Sequence, residues 1–323
     1  MSRIPNKPLT ASEKRQIASE MHVWILDGLA QKTPWSLEDI KFQGGTSLAL
    51  AWDSPRFSED LDFVARADLN FVEAIKKIVK HVEQGLQKNF PDISVEVKNN
   101  QDKENQNLTF IFVASLPNVL GKVKVKSEFW KVDGEIVKSY DGTYKALARR
   151  GDINPSFGVA TPEQIFADKM IALGGRDRLK WRDLFDLWYL DSAGITQKII
   201  SNRDDFSSRI ENTLSLYNLS PSELRNKWDV LFQKNNEEIV AMAEQDLKPW
   251  ISDQLWSRLY PHEVRKMVEG MKEKLSVAME IFPPEEYKGL DAPTFQKIIS
   301  TKRAVKQKED EMKMNIKKDG YEK

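Results

Sequence analysis

The run Arg56-Phe57-Ser58-Glu59-Asp60-Leu61-Asp62-Phe63-Val64 sets two aspartates inside an apolar stretch that alternates like a strand. Successive strand side chains point to opposite faces, so Asp60 and Asp62 share one face while Leu61 and Phe63 occupy the other. Aspartate is disfavoured in strands, and two like charges on one rigid face repel each other. The fold must bury Leu61 and Phe63, leave the acidic face reachable, and supply a counter-charge there; a divalent cation is one that fits.

Just upstream, Phe42-Gln43-Gly44-Gly45-Thr46-Ser47-Leu48 reads as a strand end that breaks into a Gly-Gly turn and opens a helix. The glycines let backbone N–H groups approach a phosphate closely, the helix presents its positive end, and Thr46 and Ser47 add hydroxyls. Singly, each segment is common: most Gly-Gly pairs are only turns, and most D-x-D pairs lie on solvated faces. Side by side, two strand carboxylates and a glycine turn can hold magnesium against a nucleoside triphosphate, the arrangement that nucleotidyl transfer needs.

Three later segments bear on the same chemistry. Residues 123–130 form a strand with Lys124, Lys126 and Glu128 on one face and Val123, Val125 and Phe129 on the other. Glu128 can complete a carboxylate triad with Lys126 beside it; a lysine-rich exposed face fits the spacing equally well. Lys169 lies in an otherwise apolar helical run, Ala167-Asp168-Lys169-Met170-Ile171-Ala172-Leu173, where a lysine is costly unless paired. Beyond Arg176 and Arg178, Asp183 and Asp186 are three apart and share one helix face. A structural ion-pair network between two packed helices would account for Lys169, Asp183 and Asp186 as well as a phosphate site does.

Around these motifs the pattern gives helices at 11–30, 46–52, 71–86, 161–175 and 181–190, and strands at 40–43, 60–65, 93–97, 108–113 and 123–130. Residues 99–107 read as a polar hairpin connector. Thr161-Pro162-Glu163 is a helix start, with a hydroxyl cap and proline in the first turn. From about residue 195 only helical patterns continue, broken near Pro221, Pro261 and Pro283-Pro284, and 301–323 is a lysine-rich tail. Strands gathered early and helices late argue an α+β fold, divided at 1–195 and 196–323.

Lysine plus arginine equals aspartate plus glutamate at 49 each, so any nucleic-acid surface must be local. There are no cysteines, which excludes disulfide and zinc–thiolate sites and fits a cytoplasmic protein. His22, His81 and His262 lie far apart without ligand spacing and are expected to be packing residues. Residues 1–15 are polar with two prolines, so no signal peptide is expected, and no stretch is long and apolar enough to span a membrane.

The ordered set G-G-T-x-L-A-L, R-x-S-E-D-L-D-F, K-x-E, A-D-K-x-x-A-L-x-x-R and R-D-L-x-D-L-x-x-L, over residues 42–190, resembles the AbiEii/AbiGii family. These are nucleotidyltransferase toxins of bacterial toxin–antitoxin and phage-defence systems. The resemblance implies a polymerase-β-like core, with a mixed sheet, flanking helices and a helical C-terminal region. It implies that Gly44, Gly45, Thr46 and Ser47 hold the triphosphate, with Arg56 and Ser58 among the nucleotide-binding residues. It further implies that Asp60 and Asp62 bind Mg²⁺, that Lys169 contacts the nucleotide phosphates, and that Asp183 and Asp186 form the last acidic motif, with Glu128 as a strand carboxylate. Residues 52–55 lengthen the gap between the glycines and D-x-D relative to the polymerase-β-like pattern. The implied activity moves a nucleoside monophosphate from an NTP to an acceptor hydroxyl, on tRNA or another RNA, arresting growth until a cognate antitoxin intervenes. A protein or small-molecule acceptor, or a non-catalytic nucleotide-binding module, are the alternatives. For RNA the basic candidates are Lys122, Lys124, Lys126, Arg176, Arg178 and the tail.

Overall fold

The computed structural model describes residues 7–282, apart from 102–106, 118, 150–152, 177 and 218. The predicted tail at 301–323 and the Pro283-Pro284 break lie outside the described residues. In chain order the first half runs β1 (Lys7–Pro8), α1 (Ala11–Lys32), β2 (Ile40–Gln43), α2 (Gly44–Ala51), β3 (Leu61–Arg66), α3 (Phe71–Gln87), β4 (Ser94–Gln101), β5 (Asn107–Ser115), β6 (Val119–Leu120) and β7 (Val123–Val132). It continues through α4 (Gly134–Ser139), β8 (Gly142–Ala146), β9 (Ser156–Ala160), α5 (Pro162–Gly175) and α6 (Trp181–Ser192). The remainder is helical: α7 (Ile195–Ile200), α8 (Arg203–Tyr217), α9 (Pro221–Gln233), α10 (Asn236–Ala241), α11 (Ala243–Asp246), α12 (Asp253–Leu259) and α13 (His262–Ile281).

The fold is α+β, built on a mixed seven-stranded sheet in the order β4-β5-β7-β3-β2-β9-β8. β3 runs parallel to β7 and antiparallel to β2, and β9 lies parallel to β2 on the other side. The sheet reaches further along the chain than the last strand expected from sequence, 123–130, because β8 and β9 join it after α4. The expected connector at 99–107 is shorter than read: Asn99, Asn100 and Gln101 still pair with β5 through their backbone.

Alternation decides what each face carries. Leu61, Phe63 and Ala65 of β3, Ile40 and Phe42 of β2, and Val125 and Phe129 of β7 form one core beneath α1 and α3. Phe63 stacks on Phe129 at 4.7 Å, and Phe71 and Phe110 meet Phe129 at 5.1 and 5.9 Å. On the opposite face, Val64 and Val132 join a second core with α5 and α6, which continues without a break into Phe206, Trp228, Val268 and Leu275 of the later helices. Asp62, on that second face, therefore lies between the sheet and the helical half.

The helix starts follow the expected chemistry. Thr10 accepts the Glu13 N–H while Glu13 accepts the Thr10 N–H, a capping box that fixes the start of α1. Thr161 caps α5 through the Gln164 N–H, with Pro162 in the first turn.

Because Phe129 is the hub of the aromatic cluster and fully buried, Phe129→Ala should lower stability by about 3–5 kcal/mol. Urea denaturation followed by tryptophan fluorescence reads this, and a loss below about 1 kcal/mol would contradict the packing described.

Candidate active site

Strand register assembles a polar row across the open sheet face. Gln43 of β2 lies opposite Asp62 of β3, and Asp62 lies opposite Glu128 of β7. Asp60, two residues before Asp62, projects to the same side and feels the charges of both Lys126 and Glu128. Burial, then Glu128 and Asp60, push the Asp62 carboxyl up to about 7, against the pull of Lys169 and Lys126. Burial raises Asp60 as well, reinforced by Glu128. Lys126 bridges the cluster: its Nζ lies 2.6 Å from Glu128 Oε1. Burial opposes the charge on that ammonium, but the hydrogen bond to Glu128 and the charges of Asp60 and Asp62 hold it protonated. Among the described residues no three carboxylates or imidazoles already stand in a coordinating array. The donor set fits a hard divalent cation: Asp60 and Asp62, raised first by burial and then by neighbouring carboxylates, are groups that such an ion would relieve.

The glycine turn is shaped by these side chains. Gly44 has φ +80°, and a Cβ there would sit 2.6 Å from Asp62 Oδ2. A Cβ on Gly45 would sit 1.9 Å from Arg56 Nη2. Thr46 Oγ1 donates to the Asp60 carbonyl, and Ser47 Oγ donates to the Gly44 carbonyl at 2.9 Å. The two hydroxyls thus brace the turn against the acidic strand, and the backbone of Gly44 and Gly45 faces the cavity. No side chain caps the start of α2, which leaves its first N–H groups available to an anion.

Behind the carboxylates lies a buried ion-pair network. Arg56, from the segment before β3, grips Asp186 of α6 with two nitrogens, Nη2 to Oδ2 at 2.7 Å. Lys169 Nζ of α5 lies 2.7 Å from Asp186 Oδ2 and 2.8 Å from Asp183 Oδ1. Arg176 Nε lies 3.0 Å from Asp183 Oδ2. Burial would neutralise Asp186 and Asp183, but Arg56 and Lys169 for the first, and Lys169 and Arg176 for the second, hold both carboxyls below their usual range. Lys169 is likewise held charged against burial by the two aspartates. The cost of a lysine in an apolar helix is met by two partners, and the network carries one more positive than negative group.

A cavity of about 330 Å³ opens between these two clusters. Of the residues predicted from sequence, Gly44, Gly45, Asp62, Glu128, Lys169 and Arg176 line it. Asp183 and Asp186 stand behind Lys169, while Thr46, Arg56 and Ser58 line a second cavity described below. Gln43, Asn107, Trp130, Asp168 and Tyr217 also line the first, and none was singled out from sequence. Trp130 and Tyr217 meet at 4.9 Å and wall one side. Asp168 is pushed up to about 6 by burial, although Tyr140, Gln164 and Thr213 all donate to it. Its position directly before Lys169 in an apolar helix was the available signal; Asn107 and Trp130 come into view only through strand register.

A family model described as nucleotidyl transferase AbiEii toxin, type IV TA system, matches residues 33–272 of the chain's 323. The chain belongs to the AbiEii nucleotidyltransferase toxin family. Among solved structures, JHP933 from Helicobacter pylori is 17% identical, covering 84% of this chain and 95% of its own, with a TM-score of 0.48. The nucleotidyltransferase toxin MenT4 from Mycobacterium tuberculosis H37Rv is 14% identical, covering 91% and 99%, also at 0.48. No curated protein matches the chain. No helix among the described residues is long and apolar enough to cross a membrane.

Two outcomes test this site. Without divalent cation, Asp62 ionises near 3.8 in the unfolded chain and about 7 in the folded one. The unfolded state then binds fewer protons across that window, so stability should fall as pH rises from about 4 to about 7. Urea midpoints for wild type and Asp62→Asn should diverge across this range, with the variant ahead above pH 7; parallel curves would contradict the shift. Secondly, Gly45→Ala and Arg56→Ala should be strongly non-additive in stability, by about 0.5–3 kcal/mol, because the nearest atoms the added methyl meets all belong to the Arg56 guanidinium.

Proposed function

We propose that this AbiEii-family chain transfers a nucleoside monophosphate from an NTP to an acceptor hydroxyl, that the acceptor is RNA, tRNA foremost, and that the outcome is growth arrest relieved by a cognate antitoxin. The observation that carries the transferase reading is the convergence of Asp62, Glu128, the Gly44–Gly45 backbone and Lys169 on one cavity. Asp60 and Asp62 would hold Mg²⁺, with Glu128 beside them. Bound there, the ion supplies charge neutralisation for the triphosphate and polarises the attacked phosphorus.

The chain's own groups do the rest. The free N–H groups at the start of α2 hold phosphate oxygens. Lys169 stays charged between Asp183 and Asp186 and presents its ammonium to the triphosphate. Lys126 has a side chain 41% exposed, so it can leave Glu128 for solvent as substrate arrives. The acceptor oxygen forms a bond to the α-phosphorus as the bond to pyrophosphate breaks. The hydroxyl proton passes to the carboxylate cluster or to water, and pyrophosphate departs with its oxygens paired to the basic groups. Positioning and charge neutralisation account for catalysis of this kind. The balanced overall charge lends RNA no support, so the acceptor assignment depends on a local basic surface.

Incubation with each α-³²P NTP, bulk tRNA and Mg²⁺ should place label on RNA. Asp62→Asn should cut transfer by about a hundred-fold or more, as loss of a ligand worth several kcal/mol requires. Expression of wild type should stop growth and expression of Asp62→Asn should not. Near-normal turnover by the folded variant would remove Asp62 from the site, and label confined to protein would replace RNA as the acceptor.

A further inference from the structure

The second cavity, about 660 Å³, is bounded by Thr46, Ala49 and Leu50 of α2. Its walls are the first turns of α1, the segment 54–59, the start of β7 and the loop at Pro249–Trp250. Three observations set it apart from an ordinary surface cleft.

Its charge is one-sided. Lys14, Arg15, Lys122 and Lys124 line it, with Glu59 as the one acidic lining residue. Arg56 also lines it but is neutralised by Asp186. Lys122 pairs with Glu96 at 3.2 Å, an exposed contact that contributes little. A chain with no net charge has gathered four cations around one opening.

Its aromatic groups, an exposed Phe57 and a half-buried Trp250, each carry a guanidinium at stacking distance. Phe57 is 41% exposed, in a protein whose other phenylalanines are mostly buried. The Arg15 guanidinium carbon lies 4.8 Å from the Phe57 ring centre, and that of Arg182 lies 4.1 Å from the Trp250 ring. The Phe57 N–H donates to the Trp250 carbonyl at 2.7 Å, which fixes the two ring-and-guanidinium pairs relative to each other.

It leads to the acidic strand. Phe57 is three residues before Asp60 on the same segment. Thr46, in the shared wall, donates to the Asp60 carbonyl. Ser58 and Glu59, directly before Asp60, line the cavity as well, so its wall runs up to the acidic strand.

Cations alone would suit any polyanion, and aromatic rings alone would suit many ligands. Interleaved, they match single-stranded nucleic acid, whose bases stack on aromatic and guanidinium planes while its phosphates take the lysines. We infer that this cavity is the acceptor subsite: it holds the unpaired end of an RNA strand, with a base on Phe57 or Trp250 and its phosphates on Lys122 and Lys124, and delivers the terminal hydroxyl to Asp60. The inference rests on the transferase reading for its purpose, but binding tests it without turnover.

The probe is a fluorescein-labelled single-stranded RNA of about ten nucleotides, within the reach of one such groove, with a duplex of equal length as control. Binding to the full chain is read by anisotropy without NTP, and the KM values for RNA and NTP by label transfer. Single strand should bind better than duplex. Lys122→Glu with Lys124→Glu should weaken binding at least tenfold and flatten its dependence on salt. Phe57→Ala should weaken binding about five- to a hundred-fold and Phe57→Trp should restore it, with the KM for NTP unchanged in all variants. Binding unaffected by these changes, equal affinity for duplex or for an acidic peptide, or a parallel rise in the KM for NTP would each overturn the subsite. If wild type binds the strand as described yet transfers no label to it, the subsite stands and the RNA-acceptor reading of the activity fails.

Discussion

The buried pair between Arg56 and Asp186 is the contact on which the rest of the site depends. Arg56 stems from the loop that delivers the acidic strand, and Asp186 from α6 in the helical half, so one bidentate contact joins the two sides of the cleft. Removing either partner strands a charge out of water, which is strongly destabilising, whereas an apolar pair of similar volume would hold the halves together comparably well. What an apolar pair would not supply is position. Asp186 also receives Lys169, and Gly45 leaves room for the guanidinium, so the glycine turn, the ammonium and the acidic strand are all registered from a single carboxylate.

Much of the fold was legible because its elements announce themselves locally. The alternation through Leu61, Asp62, Phe63 and Val64 gave β3 and its faces, and Thr161-Pro162 gave the start of α5 to the residue. The sheet beyond β7 was not legible. Its strands are short, β9 reads Ser-Phe-Gly-Val-Ala, and β8 is the edge strand beside β9, so neither carries a long alternating run. They are strands because β2 offers β9 an edge, a non-local cause that no window of sequence contains.

The site divides the same way. Asp60, Asp62, Gly44, Gly45 and Lys169 stood out because each breaks a local rule: acid in a strand, paired glycines, lysine on an apolar helix. The structure explains each breach by a partner distant in sequence. The hydroxyls of Thr46 and Ser47 show the converse, since residues expected to reach outward turn back onto the backbone of their own turn and strand. Trp130, Tyr217 and Asn107 obey every local rule, and only the pairing of β5 with β7 and the approach of α8 bring them to the cavity.

The continuity of the second core has a consequence for how the protein comes into being. The sheet carrying Asp62 and Glu128 closes one core from residues 17–159, all in the first half of the chain. The helices carrying Lys169 and Asp186 have no such independence: Phe166, Ile171 and Phe185 share their core with Phe206, Trp228, Val268 and Phe282. As the chain leaves the ribosome, a folded sheet with half a cleft comes first. The core around the helices that carry Lys169 and Asp186 is complete only once α13 has emerged, some hundred residues later. Between the emergence of the sheet and that of α13 a nascent chain therefore carries half a cleft, and the full set of groups assembles only when the later helices join the second core.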